Sequence, residues 1–235
     1  YEAAKVEGES VWVNGAMGGW ISEEDIVLTE EALDFFTRRL DMNITAENYR
    51  NRGIARLALG DADAAIEDFD AALKLSPSDK SIYNNRGNAL SVKHAYDEAI
   101  DDYDFAILLD AEFAHAYNNR GNAWRAKGEH DKAIADYDEA IKIDRDYAYA
   151  NSNRGNAWHS KGDHQKAISD YDEAIEIDPR YAHAFNNRGS SWSALGEHRK
   201  AIADYTQAIK LNPKNAFAHN NLAWLLATCA DDEIR

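Results

Sequence analysis

Asn118-Asn119-Arg120-Gly121-Asn122-Ala123-Trp124 returns along the chain with small changes. Asn84-Asn85-Arg86-Gly87-Asn88-Ala89-Leu90 precedes it, and Ser152 to Trp158 and Asn186 to Trp192 follow it. The glycines of these stretches, together with Gly53, stand 34 residues apart, and the same interval carries Asn51, Asn85, Asn119, Asn153, Asn187 and Asn221. A single globular core imposes no fixed interval of that length. The interval implies one supersecondary unit stacked on copies of itself, each burying a face it could not bury alone.

Working outward from Gly121, the frame starts at Ala46 and gives units 46–79, 80–113, 114–147, 148–181 and 182–215, with a partial unit over 216–235. Each unit reads as two helices, over roughly its first fourteen positions and over positions seventeen to thirty. Gly60, Gly128, Gly162 and Gly196 fall in the turn between them. In the second helix Ala133, Ile134, Tyr137, Ala140 and Ile141 follow the i, i+1, i+4, i+7, i+8 pattern of a stripe wide enough to pack on two neighbours. Alanine recurs where helices must approach closely. Aromatics fill the complementary places: Phe69, Tyr103, Tyr137, Tyr171 and Tyr205 in the second helices, Trp124, Trp158 and Trp192 in the first.

Residues 1–45 differ in character. Val11-Trp12-Val13, Gly18-Gly19-Trp20-Ile21 and Ile26-Val27-Leu28 are short β-rich runs broken by turn residues such as Asn14-Gly15. Residues 9–28 resemble the closing strands of a bacterial SH3-like domain, so residues 1–28 read as an N-terminal extension and remnant of one. From Thr29 the pattern turns helical, with Ala32, Phe35, Phe36 and Leu40 on one face, and residues 29–45 read as a degenerate capping helix.

The whole pattern, with glycine at the eighth place of the unit, alanine at the twentieth and twenty-seventh, an aromatic at the twenty-fourth and proline at the thirty-second, resembles a tetratricopeptide repeat array over residues 46 to 229. The resemblance implies an all-α fold: a right-handed α-solenoid of stacked antiparallel helical hairpins, here with a short β-like N-terminal segment. His94 replaces the turn glycine in the second unit, and Ala111 and Arg145 replace the proline, which puts local turn geometry in question there.

The net charge of −16 opposes binding to nucleic acid or anionic membrane and suits a neutral to basic protein or peptide. Cys229 is the only cysteine, which excludes an internal disulfide and a thiolate metal cluster. No apolar run approaches the ~20 residues of a membrane span. The chain opens at Tyr1 without Met and reads as a piece of a longer, bacterial-type protein, with a cytoplasmic setting favoured.

The seventh place, usually aliphatic in the resembling family, is Arg52, Arg86, Arg120, Arg154 and Arg188, while the twenty-third is Asp68, Asp102, Asp136, Asp170 and Asp204. The partial sixth unit has Leu222 at the seventh place and no second helix to offer an aspartate. Arginine and aspartate are present or absent together, so an Arg–Asp pair inside each hairpin is expected, a semi-buried guanidinium needing a carboxylate.

In tetratricopeptide arrays the first helices line the concave side. By helical spacing, positions two, five, six, nine, twelve and thirteen form one stripe. It contains Asn84, Asn85 and Asn88, then Asn118, Asn119, Asn122 and Arg125, then Tyr149, Asn153, Asn156 and His159, then Asn186 and Asn187. An amide both donates and accepts, and so can engage a peptide main chain whatever its side chains. The column resembles the asparagine ladder in the tetratricopeptide domain of O-linked N-acetylglucosamine transferases, which grips extended polypeptide. It lacks the lysines of the two-carboxylate clamp. The competing expectation is that these asparagines bond neighbouring helices and only shape the array.

No catalytic set, cofactor motif or metal set is apparent. His130, His164 and His198 lie one repeat apart, about 10 Å by helix packing, too far to share an ion. A non-enzymatic, cofactor-free scaffold binding an extended peptide or protein segment is the leading expectation. The alternative is self-association as a homo-oligomer, through the N-terminal extension or through the apolar helix containing Leu222, Trp224, Leu225 and Leu226.

Overall fold

The computed structural model describes residues 3–7, 10–13, 19–22 and 29–229. Three short strands, β1 (Ala3–Glu7), β2 (Ser10–Val13) and β3 (Gly19–Ser22), pair antiparallel in that order, with Trp12 opposite Trp20 and Val11 opposite Ile21. The expected Asn14-Gly15 turn and the run at Ile26-Val27-Leu28 lie outside the described residues. Twelve helices follow among the described residues: α1 (Thr29–Met42), α2 (Ala46–Ala58), α3 (Ala62–Leu75), α4 (Lys80–Val92), α5 (Tyr96–Leu109), α6 (Ala114–Ala126), α7 (His130–Ile143), α8 (Ala148–Ser160), α9 (His164–Ile177), α10 (Ala182–Ala194), α11 (His198–Leu211) and α12 (Ala216–Thr228). The fold class is an α-solenoid of antiparallel hairpins.

The chain forms two compact units, residues 1–123 and 124–235. In the first, α1 buries Ala32, Phe36 and Leu40 and packs its Phe36 side against Ala55 of α2. The α2/α3 hairpin closes over Leu57, Ala65, Phe69, Ala72 and Leu73, joined by Ile82 and Ala89 of α4. The core is thus shared between successive hairpins, as a repeat with one-sided hairpins requires. In the second unit Ala133, Ile134 and Tyr137 of α7 meet Ala157 and Trp158 of α8. Ala201 and Tyr205 of α11 meet Leu225 and Leu222 of α12.

The recurring glycine of the first helix exists because the aromatic of the second helix lies across it. A Cβ on Gly155 would sit 2.7 Å from Cε1 of Tyr171 and 3.1 Å from the carbonyl oxygen of Ala167. The turn glycine has a different reason. Gly162 has φ +82, and its N–H and that of Asp163 donate to the carbonyls of His159 and Trp158, so two end carbonyls of α8 are satisfied by a Schellman turn. Asp163 then caps α9 by accepting from the backbone N–H of Lys166. His94 makes the same turn at φ 61, with its N–H and that of Ala95 donating to Ser91 and Leu90, so the missing glycine leaves the turn intact with a left-handed histidine in it.

Replacement of proline between hairpins is equally well absorbed. The side chains of Asp110, Asp144, Asp178 and Asn212 each accept from the backbone N–H two residues on, whether the intervening residue is Ala111, Arg145, Pro179 or Pro213. The local Asx hydrogen bond, not the proline ring, defines this turn.

Candidate protein-interaction face

The first helices carry two polar systems on different sides. The arginines form the first. Arg154 reaches forward to Asp170 of its own hairpin, with Nε 3.0 Å from Oδ2 and Nη2 2.6 Å from Oδ1. It also reaches back to Asp138 of the preceding repeat, Nη1 lying 2.6 Å from Oδ1. Arg188 does the same with Asp204 and Asp172, and Arg86 with Asp102 and Asp70. Arg52 pairs with Asp68, which Arg56 also contacts, and Arg120 bonds Asp104. The inner aspartates are buried and the outer ones exposed or half-buried. Hydrogen bonds to Asp102 and Asp204 hold the Arg86 and Arg188 guanidiniums charged well above the usual arginine range, against the cost of their burial.

The pairing inside the hairpin, made by Arg52, Arg86, Arg154 and Arg188, is the one the sequence predicts, and these arginines are engaged by carboxylates rather than open to a ligand. The backward arm was missed. Its signal is a second aspartate column, Asp70, Asp104, Asp138 and Asp172, sixteen residues before the next arginine. The control is also present in the chain: Thr206 takes the aspartate's place where the next unit has Leu222 instead of arginine.

The asparagines form the second system, and here the expected site needs correction. Asn84, Asn88, Asn118 and Asn186 are buried at 5–8% exposure, so these four amides do not present themselves to a partner. In the first unit Asn118 Nδ2 donates to Asn119 Oδ1 and Asn119 Nδ2 to Asn84 Oδ1, at 3.2 and 3.0 Å, while the Tyr103 hydroxyl donates to Asn88 at 2.8 Å. In the second unit a relay runs from Asn221 to Asn186, from Asn186 to Asn187 and from Asn187 to Asn156, at 3.1, 3.1 and 2.9 Å. The Tyr171 hydroxyl completes it at Asn156. The fifth and ninth places lie where one first helix is covered by its neighbours, and a buried amide must find its partners inside the protein. Through these relays Asn84 and Asn186 bond across repeats, while Asn88 is held inside its own hairpin by Tyr103.

What remains accessible is a narrower row in each unit. In the first, His115 is exposed at the second place and Asn85 and Asn119 are half-buried at the sixth; in the second, Tyr149, His183 and Phe217 are exposed at the second place and Asn153 and Asn187 half-buried at the sixth. Ser160 and Ala194 stand at the thirteenth place, Ser160 exposed. In the second unit Tyr149 packs its ring 5.0 Å from Tyr181, whose hydroxyl bonds Ser152 and is pushed up to about 12 by burial. Asn122, Asn156, Arg125 and His159 are half-buried, and the last two turn inward. Arg125 hydrogen-bonds Tyr137, and His159 Nδ1 lies 2.8 Å from Ser191 Oγ with its ring 4.8 Å from His164. Burial, with His164 beside it, holds the His159 imidazole below its ordinary 6.5.

Among the described residues no group of three or more His, Cys, Asp or Glu side chains could hold a metal ion, and no helix is long and apolar enough to cross a membrane.

Four sequence models described as TPR or tetratricopeptide repeat match residues 50–104, 121–162, 148–181 with 182–215, and 204–233. The chain belongs to the tetratricopeptide repeat family. Among curated proteins none matches it significantly. Solved structures do. The crystal structure of MamA is similar at 27% identity and TM-score 0.60, over 70% of this chain and 96% of that one. YrrB, described as a TPR protein with an unusual peptide-binding site, is similar at 24% and 0.57, over 80% and 98%. A thermophilic TPR protein of Thermus thermophilus is similar at 20% and 0.67, over 78% and 100%. The last two likenesses speak for the fold alone. Tetratricopeptide repeat proteins are generally non-catalytic scaffolds, and the family match supports a protein–protein interaction scaffold here.

Proposed function

We propose that the accessible row of the first helices in residues 124–235 holds an extended, neutral to basic peptide or protein segment. The observation that carries the reading is the character of that row. Tyr149 and His183 stand exposed beside the half-buried amides of Asn153 and Asn187, and no carboxylate interrupts them. The relay through Asn186, Asn187 and Asn156 fixes the Asn187 amide in place, so a bound main chain would meet an oriented amide there without the cost of ordering it. Aromatic rings with a polar edge suit such a surface, because they add contact area with few rotatable bonds. The description of YrrB as peptide-binding is compatible with this reading and adds only that the fold can support it.

The buried asparagines make poor probes, since removing them breaks the packing between repeats. Tyr149→Ala and His183→Ala remove exposed side chains instead. Fluorescence anisotropy against a panel of extended peptides of neutral and basic composition should show weaker binding by the double variant, about tenfold or more, at unchanged helical circular dichroism. Binding equal to that of the unsubstituted chain would reject the row as the site.

A second reading is favoured by one observation. On α12, Phe217 is 75% and Trp224 62% exposed, an apolar surface in which self-association would bury both. Sedimentation across a concentration series decides it: association that disappears in Trp224→Glu supports this reading, and a strict monomer removes it. The N-terminal extension is the other expected contributor to self-association, and a chain lacking residues 1–28 tests it in the same series.

A further inference from the structure

The second repeat breaks the array's own pattern on the outer side of α5, and does so in one direction. Glu98, Asp101, Phe105 and Leu108 are exposed and succeed one another at steps of three and four residues, so they form one stripe along the helix. Where α5 has Glu98, the next three repeats have Lys132, Lys166 and Lys200. Where it has Phe105, two of them have Glu139 and Glu173, and where it has Leu108 the third repeat has Lys142. The helix YDEAIDDYDFAILL contains no basic residue at all.

The apolar end of the stripe is held open. Phe105 is 52% and Leu108 79% exposed, and the Phe105 ring stacks nearly parallel on Tyr83 at 5.5 Å, which keeps it from folding down onto the helix. Leu109 extends the patch. The fold itself gains little from placing these two side chains in water where sister repeats place glutamate and lysine.

We propose that this stripe is a docking surface for a basic amphipathic helix of another protein. Its aliphatic side chains would cover Phe105, Leu108 and Leu109, and its lysines or arginines would meet Glu98 and Asp101. A second copy of this chain is a poor occupant, because both surfaces would be acidic and the chain carries −16 overall. The stripe lies on a second helix of residues 1–123, so it does not depend on the peptide row proposed for residues 124–235.

The test uses a labelled ~18-residue helical peptide of leucine and lysine, with leucine at i, i+3, i+4 and i+7, beside a leucine–glutamate peptide of the same register. The full chain should bind the lysine peptide and not the glutamate one. Phe105→Glu with Leu108→Lys restores the residues the third repeat uses, so the fold is retained, and should weaken binding about tenfold or more. Glu98→Lys should weaken it as well and reduce its dependence on salt. Tyr149→Ala should leave it unchanged, which separates this proposal from the peptide row. Equal binding by Phe105→Glu/Leu108→Lys would overturn the proposal. So would equal binding of the glutamate peptide, or a dimer of the unsubstituted chain that the double variant dissolves.

Discussion

Arg188 closes a two-point hydrogen bond on Asp204, sixteen residues further on, with Nε 2.8 Å from one carboxylate oxygen and Nη2 2.7 Å from the other. The Asp204 side chain is only 8% exposed, so the guanidinium is what makes its burial tolerable. Arg188→Ala should destabilise the chain by about 3–5 kcal/mol by leaving that charge uncompensated. Arg188→Leu combined with Asp204→Leu should cost much less than Arg188→Ala, because the carboxylate goes with its partner. Urea unfolding of the three chains side by side checks both statements, and equal losses would show that the pair is not the unit that matters.

A methyl group at Gly155 would have to displace the Tyr171 ring, 2.7 Å away, or the backbone of α9. Gly155→Ala should therefore lower stability by about 1–3 kcal/mol despite alanine's better helix propensity. A thermal midpoint equal to that of the unsubstituted chain would mean that the ring moves freely.

His94 occupies φ 61, where an L side chain costs about 1–2 kcal/mol. Its ring bonds the Tyr96 hydroxyl at 2.7 Å, which offsets part of that cost at an exposed site. His94→Gly restores the residue that four other turns of the array use and should raise stability by up to about 1 kcal/mol. A loss of stability would show that the His94–Tyr96 contact outweighs the strain.

His159 has a folded-state imidazole that gives up its proton below the ordinary 6.5, because it is half-buried and close to His164. Between its two values the unfolded chain binds a proton that the folded one does not. Its contribution to stability is therefore fully present above 6.5 and is lost as pH falls through that window. The melting temperature should drop as pH falls below 6.5, and His159→Gln should shrink that drop. An identical pH profile for the variant would place the titration elsewhere.

The repeat, its hairpins and the forward arm of the arginine pairs were legible because each is a periodic property of the chain. A fixed interval identifies equivalent positions, and equivalent positions with coupled residues imply contact. The backward arm is present in the sequence too, in the column from Asp70 to Asp172, but it joins one repeat to the next, so a reading confined to single hairpins does not reach it. Asn84, Asn118 and Asn186 show where reading of this kind stops. They share a helical stripe with Tyr149 and His183, and helical spacing assigns all of them to one face. Which side of that face the next hairpin covers depends on the angle and depth at which hairpins stack, and spacing within one helix does not encode either. The sequence alone determined the repeat, its helical hairpins and its charge pairs, since these follow from local spacing. Only the tertiary structure decided that the inner asparagines bond one another between repeats while Tyr149 and His183 stay exposed, because burial is a property of the stack and not of any single helix.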